Sequence, residues 1–272
     1  MTNSILIART VTGRPVTVDA SEGKTFRGIT QGTSGSGKSV LLTTLICGVA
    51  KLSYRQVLVF DDKYVSFLEL APRVPIFDVQ TQYNDVLTSV SGEIKRRLVA
   101  LKELGKKDLT PADGFGMLDI VIDEASSFLN PDDPGITKAM RDERLRMLCY
   151  IGQMGRCVGV SLLLATQVAS AKNIDTNLRN LLVDLKFGLR AGSQESAKFL
   201  TGERYPEAPM DLLPSVPGIM YAMTNDESTG NHFVKCRAIY TPAGVVARIA
   251  NETASHKDPL SFLDPNSESY AF

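Results

Sequence analysis

The chain has 272 residues, 43% of them hydrophobic and 22% charged, with 30 basic side chains balanced by 30 acidic ones. That length suits one large domain or two small ones around a real core. Zero net charge argues against a globally basic nucleic-acid binder while allowing a local basic surface; no apolar run reaches eighteen residues, which argues against a spanning helix, and no secretory signal opens the chain.

The elements follow in chain order. Two β-rich runs within Ile5 to Ala20 flank Thr12-Gly13-Arg14-Pro15 and predict a hairpin. The run "FRGIT" leads into a glycine loop, and "SVLLTTLICGVAKL" after it has the apolar density of a buried helix. "QVLVFDD", Gln56 to Asp62, is a continuous apolar run ending in carboxylates, the pattern of a buried parallel strand. "VPIFDV" is a further short strand. Val86, Val90, Ile94, Leu98 and Leu101 recur at helical spacing over residues 83–104, and "LGKKDLTPADG" ends that helix. "MLDIVIDEA" is a second buried strand ending in acids, "LNPDDPG" a turn, and Ile136 to Gly155 a helix. "VSLLLATQ" is a third buried strand; "LLVDLKFGLRAG", "GIMYAMT" and "HFVKCRAIY" supply later ones. Thr241 as N-cap and Pro242 in the first turn open a last helix. Alternating strands and helices predict an α/β fold with a mostly parallel sheet flanked by helices. The expected organisation is an N-terminal hairpin appendage over 1–24, the main domain over 25–254 and a flexible tail over 255–272.

Cys47, Cys149, Cys157 and Cys236 form no CxxC pair, and His232 and His256 lie outside metal-ligand spacing. Reduced, mostly buried thiols in a cytoplasmic protein are expected.

The stretch "GTSGSGKS" carries the sharpest chemistry. Gly32, Gly37, Lys38 and Ser39 fit GxxxxGKS between a strand and a helix. Glycines let the backbone curl so that several N–H groups converge on an anion, and the following helix adds its positive end. The expected phosphate cradle runs through Gly32, Thr33, Ser34, Gly35, Ser36, Gly37, Lys38, Ser39 and Val40, with ATP as ligand. Lys38 would reach the β- and γ-phosphates, and the Ser39 hydroxyl would ligate Mg²⁺. Asp123 ends an apolar strand and would hold the Mg²⁺ shell; Glu124 would orient or deprotonate the attacking water. Gln167, at the end of the next buried strand, would sense the γ-phosphate. "FDDK", Phe60 to Lys63, puts polar groups at the same edge.

At these residues the chain resembles the FtsK/SpoIIIE family of DNA translocases, in the FtsK–HerA group of P-loop ATPases. The resemblance covers about residues 5–250. It rests on "TGRPVTVD", "GTSGSGKS", "FDDK", "IVIDEAS", "GQMGRCVGVSLLLATQ" and "PGIMYAMT" in that order. It implies a RecA-like motor domain in a homo-oligomeric, hexameric ring that draws double-stranded DNA through its centre, with ATP between neighbours. Arg156 matches the family's arginine before the sensor strand. It would be an arginine finger on a neighbour's γ-phosphate, or a helix-end arginine meeting a carboxylate; Arg190 is a second candidate. Where the family continues Ala-Thr-Gln with Arg-Pro, this chain has Val168-Ala169. This departure from the family pattern, together with the expected lack of a membrane anchor and of a winged helix, leads to the expectation of a bare motor of phage, plasmid or mobile-element type. Lys106, Lys107, Lys138 and Arg141 are either non-specific DNA-phosphate contacts or solvated surface charges.

Overall fold

A computed structural model describes residues 3–63, 65–130, 135–168, 170, 174–257 and 260–263. The middle of the expected turn at 131–134, Ala169 and the tail from 264 onward lie outside the described residues.

The chain runs β1 (Ser4–Thr10), β2 (Pro15–Asp19), β3 (Arg27–Gln31), α1 (Lys38–Ala50), β4 (Arg55–Phe60), β5 (Ile76–Phe77), α2 (Tyr83–Glu103), β6 (Met117–Ile122), α3 (Ala125–Phe128), α4 (Lys138–Met154) and β7 (Val160–Thr166). It continues with α5 (Thr176–Leu181), β8 (Leu185–Gly188), α6 (Gln194–Thr201), β9 (Ile219–Met223), β10 (Val234–Ala238) and α7 (Ala243–Glu252). All ten strands join one sheet in the order β2-β1-β10-β9-β8-β3-β7-β6-β4-β5. From β8 to β5 every pairing is parallel. From β8 outward to β2 every pairing is antiparallel. The sheet is thus a parallel core with an antiparallel wing.

Every residue of β4, β6 and β7 is buried, as continuous apolar runs require when helices cover both faces. Leu58 and Phe60 face α2 with its Val86, Val90 and Ile94; Val57 and Val59 face the opposite core with α1 and α7. This alternation is the period of two of a strand. Buried polar groups interrupt the apolar runs, and the largest of them are hydrogen-bonded. The Arg55 guanidinium grips Asp119 through Nε at 2.9 Å and a terminal nitrogen at 2.6 Å. It also donates to the carbonyls of Ala20 and Lys24, which ties the link between hairpin and core to the sheet. On α2, Glu93 accepts from Arg96 and Arg97, and Arg97 donates onward to the Gly116 and Val158 carbonyls.

Three expectations need correction. The hairpin is not an appendage: Ala8, Arg9 and Thr10 pair with Ala238, Arg237 and Cys236, so β1 is stitched into the sheet by a contact more than two hundred residues distant in sequence. The start of the tail is not free either, because Leu260 and Phe262 are buried in the core on the α2 face. Helix α7 starts after Pro242 without a side-chain cap; the Thr241 hydroxyl is bound instead to that of Thr44 on α1, at 2.9 Å.

The outer edge of β2 is covered by the turn between β9 and β10. The Thr17 and Asp19 amides donate to Ser228 Oγ at 3.1 Å and Asn225 Oδ1 at 3.0 Å, and Asn225 Nδ2 donates back to the Asp19 carbonyl. Among the described residues, no helix is long and apolar enough to cross a membrane.

Candidate functional site: a phosphate cradle at the carboxyl edge of the sheet

Parallel strands β3, β4, β6 and β7 all deliver their C-termini to one rim, where ligands of such sheets bind. Strand β3 ends at Gln31, the loop 32–37 curls, and α1 starts at Lys38. A cavity of about 310 Å³ opens in front of that loop. Its lining includes Ser34, Gly35, Gly37, Lys38, Ser39 and Val40 from the loop and helix start, Asp123 and Glu124 from the end of β6, and Gln167 from the end of β7.

The contacts show how these groups are held. Lys38 is buried, and its Nζ donates to the Gly32 carbonyl at 2.7 Å, spanning the base of the loop. Ser39 Oγ lies 3.4 Å from Asp123 Oδ1. Glu124 Oε1 accepts from the backbone amide of Gln167 at 3.1 Å and from the Ser126 hydroxyl. The acid at one strand end and the sensor segment at the next are therefore directly joined, through the backbone of Gln167. Three members of the expected cradle lie behind the cavity wall. Gly32 offers its carbonyl to Lys38, the Thr33 amide donates to the Arg190 carbonyl at 2.9 Å, and the buried Ser36 hydroxyl has no partner.

Burial pushes the Asp123 carboxyl up to about 6; Asp61 and Glu124 add to the shift, and Lys38 and Lys63 oppose it. Burial likewise lowers Lys38, against the pull of Glu124 and Asp123. Both directions have burial as their first cause, so these are charges taken out of water.

The phosphate loop, the two acids and the glutamine converge, whereas Arg156 does not join them. It is exposed, in the turn Arg156–Val158 before β7. The seven residues of β7 separate it from Thr166 at the cavity rim, a span of about 20 Å at the usual strand rise. It cannot serve its own chain's phosphates. Arg190 sits behind the loop with its guanidinium on the Ser215 hydroxyl. Of the four candidate DNA contacts, Lys106 pairs with Asp113 and Arg141 with Asp142, while Lys107 and Lys138 are exposed.

Comparison with known proteins bears on this arrangement. The model of the FtsK/SpoIIIE family matches residues 1–115, from the hairpin through the loop, α1 and β4 to the end of α2. Over that stretch, which is less than half of the chain, the sequence is similar to the FtsK/SpoIIIE family. A curated relative, the ESX secretion system protein EccC of Thermomonospora curvata, is 29% identical over 238 residues, covering 77% of this chain. This chain spans only 17% of that relative's length. Among solved structures, the pCW3 conjugation coupling protein TcpA, in its monomer form with ATPγS, matches with a TM-score of 0.77 and 20% identity, over 94% of this chain and 70% of TcpA. ATPases 2 and 3 of EssC from Geobacillus thermodenitrificans match with a TM-score of 0.72 and 16% identity, over 93% of this chain and 48% of that one. These likenesses bear on the fold alone, which is RecA-like, with a mostly parallel sheet flanked by helices.

Sequence reasoning put Lys63 only at this edge and did not single out Ser66 or Pro217, yet all three line the cavity. Asp61 closes a tight turn after β4 by accepting from the amides of Lys63 and Ser66, both at 3.1 Å. That turn brings Ser66 Oγ to 3.4 Å from Asp123 Oδ2, opposite Ser39. The "FDDK" stretch was the available signal for Lys63; nothing in the sequence marked Ser66.

Proposed function

We propose that the chain is an ATP-driven double-stranded DNA translocase motor, of the kind carried by phages, plasmids or mobile elements and acting in DNA transfer, packaging or segregation. The observation that carries the ATPase part is the convergence of Lys38, Ser39, Asp123, Glu124 and Gln167 on one 310 Å³ cavity. The resemblance to a conjugation coupling protein over nearly the whole chain supports DNA as the cargo. A homo-oligomeric, hexameric ring with ATP between neighbours fits the position of Arg156, which is exposed and lies the length of β7 from its own cavity.

In this reading the inward amides of the loop and Lys38 bind the phosphates. The Ser39 hydroxyl and the Asp123 carboxylate, 3.4 Å apart, suit Mg²⁺: two hard oxygens beside phosphate oxygens are how that ion is usually held. Bound there, Mg²⁺ would neutralise charge developing on the phosphoryl oxygens. Glu124 accepts the proton of the attacking water. Because Glu124 holds the Gln167 amide, a shift of the acid as phosphate leaves moves the segment after β7.

A second reading has its own support. The relative EccC belongs to a secretion system, so a motor that moves protein is the alternative. Measuring ATP hydrolysis with and without double-stranded DNA separates the two. DNA-stimulated turnover is expected; a rate indifferent to DNA, in a protein that hydrolyses ATP, would favour secretion. Retention of ring function in a variant with no turnover would instead point to an ATP-dependent scaffold.

A further inference from the structure

The cradle has a backstop outside the sequence motif. The corner Pro217–Gly218 precedes β9 and lies against the phosphate loop, with Pro217 lining the cavity. The Gly218 amide donates to the Ser36 carbonyl at 2.8 Å. In a trans peptide the carbonyl of one residue and the N–H of the next point in opposite directions. Holding the Ser36 carbonyl on Gly218 therefore turns the Gly37 N–H away from the corner, toward the cavity that Gly37 lines. The approach is tight: a Cβ on Gly37 would stand 2.9 Å from the Gly218 nitrogen, and Gly37 itself has φ of 104°. Only glycine satisfies both conditions at this position.

The corner is in turn anchored on the wing. The Gly218 carbonyl accepts from Ala238 at 2.8 Å, and the next amide, Ile239, donates to the Ile7 carbonyl at 2.9 Å. A continuous run of backbone bonds thus leads from the phosphate loop through β10 to the N-terminal hairpin. Gly218 has φ of 82°, a conformation that side-chain-bearing residues seldom adopt.

We infer that Gly218 is a positioning residue for nucleotide binding: it fixes the peptide between Ser36 and Gly37 and couples the filling of the cradle to the order of the antiparallel wing. This rests on the nucleotide reading above. Coupling is reciprocal, so a ligand that tightens the loop must also tighten the corner.

The test compares Gly218→Ala with Gly114→Ala. Gly114 also has positive φ, 84°, and nothing within 4 Å of its would-be Cβ, so it carries a similar backbone penalty away from both the loop and the wing. Affinity for fluorescent ATPγS is read by titration. Gly218→Ala is expected to weaken binding about tenfold, the equivalent of the roughly 1–2 kcal/mol of left-handed strain shed by moving the corner. Gly114→Ala is expected to bind within about twofold of the parent while melting earlier, as that same strain is carried away from the loop and the wing. Hydrogen exchange on the unmodified protein gives the second readout: ATPγS should slow exchange at the Gly218 and Ala238 amides. Equal affinity in the two variants, or no change at those amides on saturation, would overturn the inference while leaving the nucleotide site intact. Failure of the unmodified protein to bind ATPγS at all would overturn both.

Discussion

Replacing Glu124 by glutamine tests the proposed chemistry with little structural disturbance. Glu124 Oε1 accepts from the Gln167 amide at 3.1 Å and from the Ser126 hydroxyl. A glutamine keeps an oxygen in that position, so both bonds and the sensor segment survive. What disappears is the negative charge and the ability to take a proton from water. A positioned general base contributes about 10²–10⁴-fold, or ~3–5 kcal/mol of barrier. Glu124→Gln is therefore expected to lower turnover by about that factor while ATPγS binds as well as in the parent, or better, because one repelling charge has left the cavity. Phosphate release gives the first quantity and equilibrium titration the second. Turnover above about a tenth of the parent rate would exclude Glu124 as the base, since that is less than the smallest effect a base supplies. Loss of binding together with turnover would show that it acts by holding the loop after β7.

Three further outcomes follow from described contacts. Asp119→Ala leaves the fully buried Arg55 guanidinium without its carboxylate, and is expected to cost about 3–5 kcal/mol in urea unfolding; replacing both residues by leucine should recover much of it. Glu93 is raised by burial but pulled further down by hydrogen bonds from Arg96 and Arg97 and their charges, so its net shift is below the ordinary 4.5. A depressed folded value gives stability that is present above the unfolded pKa and lost as pH falls through the folded one. Glu93→Gln should therefore destabilise the protein at pH 7, with the difference from the parent shrinking below about pH 4.5, as read by denaturant melts at each pH. Arg156→Ala should leave ATPγS affinity unchanged and turnover reduced by about 10³-fold if the side chain completes a neighbour's site. Mixing it with Lys38→Ala should then restore part of the activity, whereas no recovery in the mixture would argue against action between subunits.

Much of the fold was legible because buried parallel strands have a distinctive composition. "VLVF", "IVI" and "LLLA" are apolar throughout, and each ends close to the polar groups at the rim of the sheet. The spacing of Val86, Val90 and Ile94 gave α2 its face in the same way. Short elements were lost. Helix α5 has six residues and α6 eight, too few turns for a periodicity to rise above the background, and the end of α5 was absorbed into an expected strand. The placement of the hairpin was also out of reach: pattern predicts a strand, but which strand it pairs with depends on register across the whole chain. The same holds for the cavity. Lys38, Asp123 and Gln167 announce themselves by motif, whereas Ser66 and Pro217 arrive there only through the turn held by Asp61 and the corner before β9.

The side chains of Asn225 and Ser228 that close over β2 have a consequence for how copies of this chain can meet. A bare outer strand is a template for another chain's backbone; here the amides of Thr17 and Asp19 are already spoken for by a neighbouring turn. Association through a shared, continuous ladder is denied on that flank. A ring closed on that flank would rest on side-chain surfaces, whose strength can rise and fall as a motor turns over, rather than on a permanent seam of backbone hydrogen bonds.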